Sequence, residues 1–121
     1  MKNKKTLVLG ASEKPDRYAN KAVRKLQNNN VPIYAVGYKE GTINGTPIYT
    51  DFPSDTDIHT VTLYLSKKNQ EQYYDKIIDL APKRVIFNPG TENPEFEASL
   101  EKHKIEVEIA CTLVMLSTNV Y

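Results

Sequence analysis

Tryptophan is absent from the 121 residues, cysteine occurs once and glycine only five times. The lone Cys111 excludes an intrachain disulfide framework, so the fold must rest on its apolar core. Long hydrophobic runs are missing too: none approaches the roughly 18 residues of a membrane span. The basic start, Met1-Lys2-Asn3-Lys4-Lys5, leads into an apolar run that breaks at Gly10, too soon for a secretory segment. Neither sign of charge dominates. Sixteen Lys and Arg face 15 Asp and Glu, a net of +1, which excludes bulk nucleic-acid binding and leaves anion recognition to a local cluster. These absences lead us to expect a reduced, cytoplasmic protein that engages neither nucleic acid nor membrane.

The length suits one compact domain over residues 1–121 and is too short for two. Short apolar runs alternate with segments of helical period, which predicts an α/β fold. Thr6–Leu9 reads as a strand buried on both faces and stopped by Gly10. Ala19, Ala22, Val23 and Leu26 mark an amphipathic helix from about Tyr18 to Asn28. Val31–Val36 gives a second strand, and turn residues from Gly41 to Pro47 lead to a short third near Ile48-Tyr49. Asp51–Asp57 reads as loop or a single helical turn. Val61–Leu65 is the clearest central strand, followed by a helix from Lys67 to Leu80 with Ser66 as N-cap and Ala81 on its apolar side. Val85–Phe87 is the next strand. Asn93-Pro94 starts another helix, and Ile105–Ile109 alternates as an edge strand should. The economical topology is a Rossmann-like, doubly wound, mainly parallel sheet of five to six strands with helices on both faces.

In such a sheet, ligands bind beyond the carboxyl ends of the strands. The loops to read are therefore Gly10-Ala11-Ser12, Gly37-Tyr38-Lys39, Ser66-Lys67-Lys68, Asn88-Pro89-Gly90-Thr91 and Ala110-Cys111-Thr112. The first turn combines a glycine, a hydroxyl and exposed amides before a helix, a generic oxyanion cradle. Lys14, Arg17, Lys21 and Arg24 follow it, the last three spaced for one helix face. Cations at a helix N-terminus oppose its dipole, and a bound polyphosphate would offset that. A solvated basic face is the alternative. The Gly-x-Gly-x-x-Gly dinucleotide pattern fails, because Ser12 and Pro15 occupy its second and third glycine places. Lys39 near the end of the second strand suits a phosphorylated ribose, as in NADP or coenzyme A.

Val8-Leu9-Gly10-Ala11-Ser12-Glu13-Lys14-Pro15-Asp16-Arg17-Tyr18, then Val31–Val36, Gly45-Thr46-Pro47-Ile48-Tyr49 and Asn88-Pro89-Gly90, resemble the small stand-alone CoA-binding domain proteins. These are similar to the CoA-binding domain of the succinyl-CoA synthetase α subunit. The resemblance implies a nucleotide held by the Gly10-Ala11-Ser12 turn, with Arg17 and Lys39 near its phosphates. Two departures are visible. Gly37-Tyr38 stands where many relatives carry Asn-Pro, and Asn88-Pro89-Gly90 where Gln-x-Gly is expected. The expected site is Gly10, Ala11, Ser12, Lys14, Arg17, Gly37, Tyr38, Lys39, Ser66, Asn88, Pro89 and Gly90, holding coenzyme A or an acyl-CoA.

No catalytic or metal set emerges. His59 lies at the amino end of a strand, and His103 suits a helix C-terminal turn. Cys111 reads as a small buried hydrophobe or as a thiol facing the pocket. Asp51, Asp55 and Asp57 do not have the spacing of a calcium loop. A CoA-binding module without catalysis is the leading reading. An NADP-dependent or acyl-CoA-processing enzyme subunit stays open. So does a sensor module with a vestigial pocket, a dimer joined through the apolar Cys111–Met115 stretch; Leu113, Val114, Met115 and Leu116 read as core or as a dimer patch, and a homodimer or a partner enzyme stays open.

Overall fold

The computed structural model describes residues 3–54 and 57–121. Seven strands form one sheet: β1 Thr6–Leu9, β2 Ile33–Val36, β3 Gly41–Ile43, β4 Thr46–Tyr49, β5 Thr60–Leu63, β6 Arg84–Phe87 and β7 Glu106–Ile109. Their order is β3-β4-β2-β1-β5-β6-β7, and every pairing but β3·β4 is parallel. This is the doubly wound, Rossmann-like arrangement expected, with the chain reversing direction across the sheet between β1 and β5.

Alternation along the buried strands divides the core into two layers. Leu7, Leu9, Val61, Leu63, Val85 and Phe87 face one side, where they meet Ile77, Phe96 and Leu100 of α3 (Tyr74–Leu80) and α4 (Pro94–Lys102). Val8, Ala35, Ile48 and Ile86 face the other side. There they meet Ala19, Val23 and Leu26 of α1 (Tyr18–Asn28) and Met115 and Leu116 of α5 (Thr112–Ser117). At the amino edge of the sheet, buried Arg84 donates to Thr60 Oγ1 at 2.8 Å and to the Tyr121 carbonyl at 3.2 Å. Its guanidinium also lies over the Tyr121 ring, 4.4 Å from the centroid.

Three expectations need correction. The sheet has seven strands because Gly41–Ile43, read as turn punctuation, folds back on β4 through Asn44 and Gly45, both at positive φ. A tight two-residue hairpin demands that conformation. The single helix from Lys67 to Leu80 is instead α2 (Lys67–Gln70), a 3-10 turn (Glu71–Tyr73) and α3. Ala81 is not on an apolar face but exposed in the left-handed region (φ 53°), ending α3 before Pro82. The apolar stretch after Cys111, read as core or a dimer patch, is the helix α5, which buries Thr112, Met115 and Leu116 in the core and leaves Val114 exposed. Among the described residues, no helix is long and apolar enough to cross a membrane.

Candidate functional site

The register positions the site. Leu9 pairs with Val36 on one side and Leu63 on the other, and Leu63 pairs with Phe87. Four adjacent parallel strands therefore end at one level. Their following loops line a cavity of about 590 Å³: Gly37 and Tyr38 after β2, Gly10, Ala11, Ser12, Lys14, Arg17, Tyr18 and Ala19 after β1, Tyr64 to Ser66 after β5, and Pro89 to Thr91 after β6. Three interstrand spacings make this cleft about 14 Å across. Lys14 and Arg17 stand on its β1 side, whereas the segments after β5 and β6 offer only neutral groups, among them Asn69, Gln72, Tyr73 and Thr91. Among the described lining residues there is no carboxylate.

The glycines of the first two loops are sterically required. Gly10 has φ +98°, and a Cβ there would stand 2.6 Å from the Tyr64 carbonyl oxygen. A Cβ on Gly37 would stand 2.3 Å from the Ala11 carbonyl oxygen. The loops after β1 and β2 are thus packed backbone against backbone. The Gly10 and Ala11 amides both donate to the Val36 carbonyl, each at 2.9 Å. This corrects the expected cradle: those two N–H groups close the turn onto β2 and do not face the cleft.

What remains for an anion lies further along. Ser12 is half-buried, and its hydroxyl oxygen accepts from the Lys14 amide at 3.2 Å, leaving its own proton to donate. α1 begins behind it with Arg17 as an uncapping N-cap and no acidic residue in the first turn. Its leading residues Tyr18 and Ala19 line the cleft. First-turn amides have no partner within a helix, so they carry partial positive charge towards whatever sits there.

Three struts hold the loop from Ser12 to Arg17. Asn20 donates to the Ser12 carbonyl at 2.9 Å, and Arg24 donates to Asn20 Oδ1 at 2.8 Å and to the Pro15 carbonyl at 3.0 Å. Glu13 accepts from the Thr42 amide at 2.8 Å, tying the loop to β3. Arg24 is therefore part of the frame, and Lys21 rests over the Tyr18 ring. Of the cations expected to share a helix face, Arg17 alone lines the cleft, beside Lys14 of the preceding loop.

Ten of the twelve expected residues line the main cavity; Lys39 and Asn88 do not. Lys39 lines a smaller adjoining cavity of about 130 Å³ with Ala11, Ser12, Glu13, Lys14, Tyr38 and Glu40. Asn88 is buried under the floor. Its Nδ2 donates to Thr62 Oγ1 at 2.7 Å and to the Leu63 carbonyl at 2.8 Å, and its Oδ1 accepts from the Thr112 amide at 2.9 Å. The expectation that Asn88 faces a ligand is corrected on that ground. Asn69, Gln72 and Tyr73 line the cleft and were missed. Their signal was available: they lie on the first turns of the segment after β5, just beyond the N-cap Ser66.

Tyr64 forms part of the floor. The neighbouring Thr62 and Thr112 hydroxyls are bonded to each other at 2.8 Å, and among the described residues the buried Tyr64 hydroxyl has no partner in hydrogen-bonding geometry. Burial raises its pKa from 10.0 to about 12, against the opposing influence of the nearby Thr112 hydroxyl.

The other candidates lie elsewhere. His59 sits just before β5 with Nδ1 2.7 Å from Thr60 Oγ1, its pKa lowered by burial and then by Arg84. His103 ends α4, its Nδ1 2.8 Å from the Ser99 carbonyl. Cys111 is half-buried at the N-cap of α5 and does not line the cleft. Asp51 and Asp57 are exposed, and Asp55 lies outside the described residues. Among the described residues, no three His, Cys, Asp or Glu side chains are grouped to hold a metal.

Comparison with known proteins bears on the cleft. The crystal structure of an uncharacterized protein matches at 46% identity and TM-score 0.95, covering 98% of each chain. A hypothetical protein from Pyrococcus horikoshii OT3 matches at 24% identity and TM-score 0.85, covering 98% of this chain and 84% of that one. A dinucleotide forming Acetyl-coenzyme A synthetase 1 from Ca. Korarchaeum cryptofilum, in complex with phosphate and ADP, shares the fold at 16% identity and TM-score 0.68. That match covers 85% of this chain and 25% of the synthetase. Among curated proteins, none matches the chain. The model of the CoA binding domain family matches residues 4–117, and with the cleft lying where a doubly wound sheet binds its ligand, the chain belongs to that family.

Proposed function

We propose that this protein binds coenzyme A, free or acylated, in the cleft over β1 and β5, and that it acts as a binding module built from one domain. The observation that carries the reading is the polarity of the cleft: two cations and a helix N-terminus on one side, neutral amides and hydroxyls on the other, and no carboxylate among the described lining residues. A ligand with phosphates at one end and an uncharged amide-bearing arm at the other matches that distribution. Ser12, Lys14, Arg17 and the first turn of α1 meet the phosphates. Lys39, in the adjoining cavity, offers a further cation to a phosphorylated ribose, with exposed Tyr38 between the two cavities. Ser66, Pro89 and Gly90 flank the uncharged arm.

Titration calorimetry of the wild type against coenzyme A, NADP and ATP tests this. Coenzyme A alone should bind strongly. Arg17→Glu, or Ser12 replaced by tryptophan, should weaken it by about 30-fold or more while leaving Tm nearly unchanged, since Arg17 is exposed and makes no cap and the half-buried Ser12 side chain lines the open cleft. Equal affinity in both variants, or a preference for NADP, would remove the proposal.

A further inference from the structure

One fully buried side-chain amide joins the two loops at the neutral end of the cleft. Gln70 is the last residue of α2 and does not line the cavity. Its Nε2 donates to the Leu65 carbonyl at 2.9 Å and to the Thr91 carbonyl at 2.7 Å. Leu65 belongs to the loop after β5 and Thr91 to the loop after β6, and both line the cleft. A primary amide has two N–H donors, and here each holds a different wall.

The acceptor end of Gln70 is fixed as well. Its Oε1 takes a hydrogen bond from Asn93 Nδ2 at 3.0 Å, and the same nitrogen donates to the Tyr74 hydroxyl at 2.7 Å. Asn93 in turn caps α4, its Oδ1 accepting from the Phe96 amide at 3.2 Å. The orientation of the Gln70 amide is thereby set by two helices that take no part in lining the cleft. An apolar residue of similar volume would fill the space but would leave both wall carbonyls unpaired and their separation unspecified.

We propose that Gln70 is a positioning residue for ligand binding: by bridging Leu65 and Thr91 it sets the width of the neutral end of the cleft, where the uncharged arm of the ligand lies. This rests on the coenzyme A reading above. The phosphate end, built by α1 and its preceding loop, shares no hydrogen bond with Gln70, so the two ends should respond separately to its loss.

Calorimetry with two probes, coenzyme A and adenosine 3′,5′-bisphosphate, makes the separation measurable. Gln70→Met, which keeps the shape and loses both donors, should weaken coenzyme A by about tenfold and the bisphosphate by less than about twofold. Gln70→Glu should follow the same split. Parallel losses for both probes would show a general structural role and overturn the proposal, as would no change in either. Where the Gln70 variants do not fold, Tyr74→Phe loosens the same network through Asn93. It should produce a smaller split in the same direction, and equal effects on both probes would again overturn it. If the wild type binds the bisphosphate but gains nothing from the arm of coenzyme A, the proposal alone fails. If it binds neither probe, the coenzyme A reading fails first.

Discussion

The α-carbon of Gly37 faces the carbonyl oxygen of Ala11 so closely that a methyl group on it would stand 2.3 Å away. Neither partner can yield by rotating a side chain, because the obstacle is backbone. Gly37→Ala should therefore destabilise the protein by about 2 kcal/mol and weaken coenzyme A binding as the Ser12 loop is pushed out of place. Chemical denaturation and calorimetry on the same sample check both effects. A stable variant with full affinity would mean the two loops can move apart freely.

Arg24 offers a contrast, since it is a cation near an anion site without lining it. Arg24→Met should cost about 1 kcal/mol of stability through its two lost hydrogen bonds. Coenzyme A affinity should fall about fivefold, because the Ser12–Arg17 loop loses pre-organisation. The salt dependence of binding should keep its slope, which a phosphate-contacting cation would not permit. Calorimetry at two ionic strengths separates the cases.

Asn88 was legible as a polar residue after a strand, and its direction was not. Which way such a side chain turns depends on Thr62 and Thr112, and Thr112 belongs to α5, a helix of six residues with no side-chain cap to announce it. Asn88→Ala leaves the Leu63 carbonyl, the Thr112 amide and a Thr62 hydroxyl short of a partner, and should cost about 3 kcal/mol in urea denaturation. At a temperature where the variant is folded, coenzyme A affinity should stay within about twofold of wild type, since the side chain does not reach the cleft. A selective loss of affinity would place Asn88 against the ligand after all.

Tyr64 predicts an alkaline effect. Its hydroxyl holds its proton in the folded chain up to about 12 against 10.0 when unfolded, so below pH 10 both states are protonated and its contribution is constant. Between those values the unfolded chain ionises first, and the stabilisation from the neutral phenol, on the order of 2 kcal/mol, drains away. Tyr64→Phe removes this loss. Denaturation at pH 8 and pH 11.5 should show the variant gaining on wild type at the higher pH. At pH 8 it should be near neutral, because the deleted hydroxyl has no hydrogen-bond partner there.

Periodicity carried the sheet and its long helices, because buried strands such as β1 and β5 and the α1 stripe of Ala19, Val23 and Leu26 satisfy one pattern each. Short elements escaped for a physical reason. The β3–β4 hairpin rests on backbone conformation at Asn44 and Gly45, and the 3-10 turn begins just after Gln70, whose side-chain partners Thr91 and Asn93 lie far off in sequence. In the cleft, the loop positions were readable from strand ends, whereas the amide roles of Gly10 and Ala11 were not. Those amides depend on the Val36 carbonyl, a partner distant by number and adjacent only through the sheet.

The level finish of β2, β1, β5 and β6 has an evolutionary corollary. Four loops rise from one fixed platform, so the outer reach of a loop can change in length or charge without disturbing the strands beneath it, although the Gly37–Ala11 packing and the Gln70 bridge tie the loop bases in pairs. Inserting one residue inside any of those strands, by contrast, would lift that loop about 3.3 Å and turn its side chains to the opposite layer. Diversification of what relatives of this chain recognise should therefore accumulate in the loops and spare the strand lengths.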